Sequence, residues 1–62
     1  MKRRELISHL IREGCVLFRE GAKHSVFFNP ENGHTSTVPR HGEIDDNLAR
    51  KISRQLDIPY PR

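Results

Sequence analysis

Tryptophan is absent from this chain, and cysteine occurs once, at Cys15. A lone cysteine closes no disulfide within the chain. Small secreted domains usually need such cross-links, so a reducing cytoplasm is the expected compartment. The single thiol also excludes a cysteine-pair zinc site. The four histidines, His9, His24, His34 and His41, show no i, i+4 pairing that would set two imidazoles on one helical turn, so no metal is expected. No apolar run approaches the ~20 residues that a membrane-spanning helix needs. The opening Met1-Lys2-Arg3-Arg4-Glu5 leads into an amphipathic segment with charges inside it, which is not the pattern of a signal peptide. A chain of 62 residues is expected to form a single domain over 1–62. At this size only about 60% of the unfolded surface is buried. A two-domain enzyme with a closed cofactor cleft is therefore excluded, and no cofactor is expected.

Positive charge is present and unevenly placed. The formal net charge is +3. Within residues 1–24, Lys2, Arg3, Arg4, Arg12, Arg19 and Lys23 face only Glu5, Glu13 and Glu20, and the later segments balance, so the surplus lies in the first part of the chain. A basic face there suits a polyanion such as nucleic acid; a merely solvated face is the bland alternative. Lys2, Arg3 and Arg4 also fall at the start of a predicted helix, where each cation opposes the macrodipole by about 0.3–1 kcal/mol. Folding has no evident use for them at that end, whereas binding has.

The spacing of Leu6, Ile7, Leu10 and Ile11 predicts a helix over 3–13, ended by Gly14. Residues 15–19 and 24–28 read as strands, separated by Glu20-Gly21-Ala22-Lys23, in which Gly21 is able to take a positive φ. Asn29-Pro30-Glu31-Asn32-Gly33 is turn chemistry, and 34–38 is a third, β-branched strand. From Ile44 the pattern turns helical again. Asp45 or Asp46 serves as cap, Ile44, Leu48, Ile52 and Leu56 form the apolar face, and Pro59 and Pro61 end it. The expected fold is α+β: helix, three-stranded antiparallel sheet, helix, with both helices on one sheet face as two layers.

Among the histidines, His9 is expected on the exposed side of the first helix, His34 opens a strand, and His41 lies in a loop beside Arg40. His24 stands at the mouth of a strand after a glycine turn, beside Lys23 and Ser25. RNA carries its own nucleophile, the 2′-hydroxyl. A neutral imidazole can take that proton near pH 7, and an imidazolium can protonate the leaving oxygen. Lysine or arginine can hold the phosphate, without a metal.

Gly21-Ala22-Lys23-His24, the Asn29-Pro30 to Gly33 hairpin, Thr37-Val38-Pro39-Arg40-His41 and the Leu48 to Ile58 helix together resemble the HicA toxin family, in order and over nearly the whole chain. The resemblance implies a fold similar to the double-stranded RNA-binding domain. It also implies ribonuclease action on messenger RNA, arrest of translation, and neutralisation by a HicB-type antitoxin. The family's essential histidine falls on His24, presented by the Gly21 turn. Many relatives have serine and a second histidine just before it, where this chain has Ala22 and Lys23.

To that catalytic residue, charge and chain position add Lys23, Arg40, His41, Arg3 and Arg4 as RNA-contacting groups. Glu43, Asp45 and Asp46 open the second helix, where duplex binders of this fold carry lysines, and a duplex site of ~16 bp is long for this chain. Single-stranded RNA is the expected partner. Strand parity sets His24, Val26 and Phe28 on one face and Ser25 and Phe27 on the other. Either Val26 and Phe28 face the core and His24 leans inward, or Phe27 faces the core and His24 is exposed. Because a reacting histidine must reach RNA, the expectation is Phe27 in the core, His24 exposed, and Val26 with Phe28 as an apolar strip that a protein partner would cover. Ser25 either orients the imidazole or is a plain strand residue. Cys15 is expected as a small core or edge residue, and Tyr60 in a loosely packed tail. A non-catalytic RNA-binding module is the alternative function, and a protein-docking domain that touches no nucleic acid is a third.

Overall fold

A computed structural model describes residues 1–61. Helix α1 (Arg3–Arg12) is followed by strands β1 (Val16–Glu20), β2 (His24–Asn29) and β3 (His34–Pro39), and then by helix α2 (Asp46–Gln55). The strands form an antiparallel meander in the order β1-β2-β3. The expected α+β class and element order hold.

Alternation along β2 separates the two faces. Ser25, Phe27 and Asn29 are buried, Val26 and Phe28 are half-buried, and His24 is exposed. Phe27 and Val38 from this inner face meet Leu6 and Leu10 of α1 and Ala49, Ile52 and Leu56 around α2 in one core. Burying each such leucine or isoleucine is worth about 1.5–3 kcal/mol, which fixes the parity of β2. Ile44 is buried ahead of α2, Leu48 is only half-buried, and Ala49 takes the inward place, so the buried face is rotated from the every-fourth series. Cys15 is 2% exposed, and burial, with Glu13 nearby, pushes its thiol pKa up.

Both helices stop on the same device. Behind α1, the Cys15 amide donates to the Leu10 carbonyl at 2.9 Å and the Gly14 amide to the Ile11 carbonyl at 3.0 Å, with Gly14 at φ 94°. Behind α2, Ile58 donates to Ser53 at 3.0 Å and Asp57 to Arg54 at 3.1 Å. This pairing needs a left-handed residue after the helix, and the second time that residue is Asp57, at φ 58°. At the other end of α2, Asp45 is the cap, its Oδ2 accepting from the Asn47 amide at 3.0 Å, and Asp46 lies in the first turn.

Two expectations fail at the chain's end. His9 is buried, 8% exposed, and its Nε2 donates to the Pro59 carbonyl at 2.7 Å. Tyr60 is half-buried with the Arg50 guanidinium 5.0 Å above its ring. The tail is therefore packed, because a buried imidazole on α1 needs an acceptor and the segment after α2 supplies one. The β2–β3 turn also grips α2. Asn29 and Asn32 both donate side-chain amides to the Leu56 carbonyl, at 2.8 and 3.2 Å.

Two substitutions test these joints in urea titrations of the purified chain. His9→Ala should lose about 1–2 kcal/mol, since it leaves the Pro59 carbonyl without its buried donor. Asp57→Gly should gain roughly 0.5–1 kcal/mol, because glycine occupies the left-handed region without strain. Unchanged midpoints would disprove the two assignments.

Candidate active site

β1 carries one residue more than its partner needs. Leu17 pairs with Phe27 and Arg19 with Val26, so a β-bulge lies at Phe18. Directly paired residues of an antiparallel ladder project to the same side, and the extra residue reverses the parity of the strand beyond it. Arg19, opposite Val26, therefore projects to the outer face. Glu20, opposite Ser25, projects to the inner one. A regular strand would have done the opposite.

On the inner face, Glu20 completes a polar cluster at the root of the β1–β2 loop. The Ser25 hydroxyl donates to Glu20 Oε2 at 3.0 Å and accepts from Arg3 Nη2 at 2.8 Å. Arg3 Nε donates to the Pro39 carbonyl at 2.8 Å, and Arg40 pairs with the Glu20 carboxylate. The start of α1, both ends of the loop and the end of β3 are thereby tied together. Hydrogen bonds to a charged group contribute about 1.5–3 kcal/mol, while the half-exposed Glu20–Arg40 pair contributes at most about 1 kcal/mol. The Arg3–Ser25 link is the stronger tie. Arg3 thus has a use within the fold, contrary to the reading of the helix-start cations as surplus to folding. Ser25, 1% exposed and on the face opposite His24, is not placed to orient that imidazole.

Gly21 shapes the loop by its lack of a side chain rather than by a positive φ, which it does not adopt. Its amide donates to the His24 carbonyl at 2.8 Å, and a Cβ there would come within 2.9 Å of the same oxygen. The Lys23 carbonyl accepts from the Arg40 amide at 3.1 Å, and His24 pairs with Pro39. His24 is thus held by its backbone on both sides while its ring is left at the surface.

On the outer face a shallow groove is lined by Arg19, Gly21, Ala22, Lys23, His24, Val26 and Thr37. Lys23 and Arg19 are exposed and, among the described residues, make no ion pair. One imidazole beside two free cations is an arrangement able to bind a phosphodiester and move a proton. Among the described residues no group of three metal-ligating side chains comes together. A family model described as the HicA toxin of bacterial toxin–antitoxin systems matches residues 3–58. The chain belongs to the HicA toxin family. No curated protein and no solved structure matches it.

The other sequence-predicted groups of this HicA-family chain are dispersed. Arg40 sits at the loop's inner side, half-exposed in its pair with Glu20, and His41 is exposed in the segment after β3. Arg4 lines a different groove, between α1 and the tail, with Ser8, Arg12 and Tyr60. Glu43 and Asp46 lie against the Met1 ammonium at 3.1 and 3.4 Å, and their proximity raises its pKa. Arg19 was missed by the sequence reading, because regular alternation gives no sign of the bulge. No described helix is long and apolar enough to cross a membrane.

Gly21→Ala should lower the unfolding free energy by about 1–3 kcal/mol, the usual effect of forcing a methyl group against fixed backbone, and should speed hydrogen exchange at the residue 21 amide. A stability within error of the parent chain would refute the close-approach argument.

Proposed function

We propose that this toxin is a metal-independent endoribonuclease that cleaves single-stranded messenger RNA in the cytoplasm and is neutralised by a HicB-type antitoxin. The observation that carries the reading is the exposed His24 ring in a groove with Lys23 and Arg19. In this reaction the ribose 2′-oxygen loses its proton and bonds to the adjacent phosphorus. The bond from phosphorus to the 5′-oxygen breaks, and that oxygen takes up a proton. His24 performs one of these two proton transfers and water the other; among the described residues no second imidazole or carboxylate lines the groove. Lys23 and Arg19 bind the non-bridging oxygens and offset the charge that grows on them. Arg40 and His41, at the neighbouring strand end, extend the contact with the RNA backbone, while Arg4, in the separate groove on α1, would meet only RNA that runs past the sheet.

Single-stranded RNA is favoured because Glu43, Asp45 and Asp46 at the start of α2 repel a second phosphate strand, and because a sheet groove admits a flexible chain more readily than a rigid duplex. An antitoxin that covers the outer face would shut the groove and shield the apolar strip beside it.

Because His24 is exposed, His24→Ala should leave the circular-dichroism spectrum and unfolding midpoint unchanged while cutting RNA cleavage by about 10²–10⁴-fold and relieving growth arrest on induced expression. Full cleavage by that variant would sink the catalytic role. Intact RNA with arrest maintained by both chains would instead mark a non-catalytic RNA-binding module.

A further inference from the structure

Phe18 is 68% exposed, and Val16 beside it 48%. The core does not need these side chains, and Phe18, following inward-paired Leu17, projects to the same outer face as His24. Its ring lies 6.1 Å, centroid to centroid, from that of Phe28 on β2, with the planes tilted by 41°. Phe28 is half-buried under this contact, so Phe18 keeps a broad surface open to solvent. Along β2, His24, Val26 and Phe28 share one face. The aromatic pair therefore stands about 13 Å from His24, a distance that a short run of nucleotides spans.

The charge lining the groove is of one sign. Arg19 and Lys23 flank the His24 end, Thr35 and Thr37 of β3 supply hydroxyls along the far side, and among the described residues no carboxylate lines the groove, because the bulge turns Glu20 inward. An exposed aromatic ring on the same sheet face as a cationic groove complements a chain with planar bases and an anionic backbone. Proteins that bind single strands without a sequence code use this combination.

We propose that Phe18 and Phe28 form a base-stacking platform that holds an unpaired base of the RNA while His24 engages the backbone a few nucleotides away. The proposal rests on the nuclease reading for the identity of the bound chain and adds to it a means of substrate holding. The platform selects against duplex RNA, whose bases are already stacked on one another. Phe18 is the outer, replaceable half of the pair; Phe28 is also packed against the sheet.

The test is a fluorescence-anisotropy titration of the full chain with a labelled, 2′-O-methylated single-stranded oligoribonucleotide, which it can bind but not cleave through the 2′-oxygen. Phe18→Ala should weaken the dissociation constant about tenfold without changing the slope of log affinity against log salt. Lys23→Ala should flatten that slope, as expected when a phosphate contact is lost. Phe18→Trp should keep parental affinity, and its indole, the only one in the chain, should be quenched on binding. Equal affinity of Phe18→Ala and the parent, or an indole blind to RNA, overturns the platform. Loss of antitoxin binding in Phe18→Ala with RNA affinity intact overturns it too and makes the face a protein-docking surface. Cleavage of unmodified RNA by the parent is scored separately: cleavage with an unaltered Phe18→Ala titration removes the platform and keeps the nuclease, whereas binding without cleavage does the reverse. Failure of the parent to bind the oligonucleotide removes the platform, and the nuclease reading falls with it only if unmodified RNA also stays intact.

Discussion

One inserted residue in β1 governs the functional end of the molecule. By reversing parity beyond Phe18, the bulge sends Arg19 to the outer face, beside Phe18, and turns Glu20 beneath the sheet to Ser25 and Arg40. With regular alternation, a carboxylate would have stood beside His24 and a guanidinium would have faced the Ser25 hydroxyl that Arg3 already serves. Such a carboxylate would attract a proton to the imidazole and repel phosphate. The same backbone feature therefore makes the groove cationic and completes the polar cluster that anchors the loop.

That cluster explains how so small a chain can hold an exposed histidine in place. The His24 side chain is free, and its position is set through the backbone. The Gly21 amide meets its carbonyl, Pro39 pairs across from it, and Arg3 ties the start of α1 to Ser25 and to the Pro39 carbonyl. The order is supplied from the layer below, so the ring can face solvent without giving up buried area. The Arg3 guanidinium, set against the unfavourable end of the α1 dipole, is compensated by three-dimensional contacts that a linear charge map does not contain.

The remaining polar links serve the helix layer. His9 fastens the tail through Pro59, and Asn29 and Asn32 close the end of α2 through the Leu56 carbonyl. Among the described residues no buried side-chain nitrogen or oxygen is left without a partner, which a thin core requires, since each unsatisfied group would cost about 1–3 kcal/mol. His9 and His24 are the same residue type with opposite fates. One is consumed by packing, and the other is kept at the surface by strand parity.

Much of the architecture was legible in the residues alone. Alternation along β2 alone allowed either face inward, but hydrophobic spacing marked both helices, Gly14 marked the first helix end, and turn chemistry separated three strands. These are local signals: each depends on a period or on the φ that one residue type tolerates. His24 was singled out by the resemblance of its glycine–x–x–histidine turn to the HicA family, and Gly21 serves that turn by lacking a side chain rather than by its φ. What the tertiary structure alone decided is non-local. The bulge arises from a register mismatch between two strands, so Arg19 could not be placed beside His24 from alternation in one of them. Arg3 found Ser25 and Pro39, and His9 found Pro59, across separations that no sequence window covers. Asp57 took a glycine's conformation because packing and the α2 carbonyls outweighed its modest intrinsic preference.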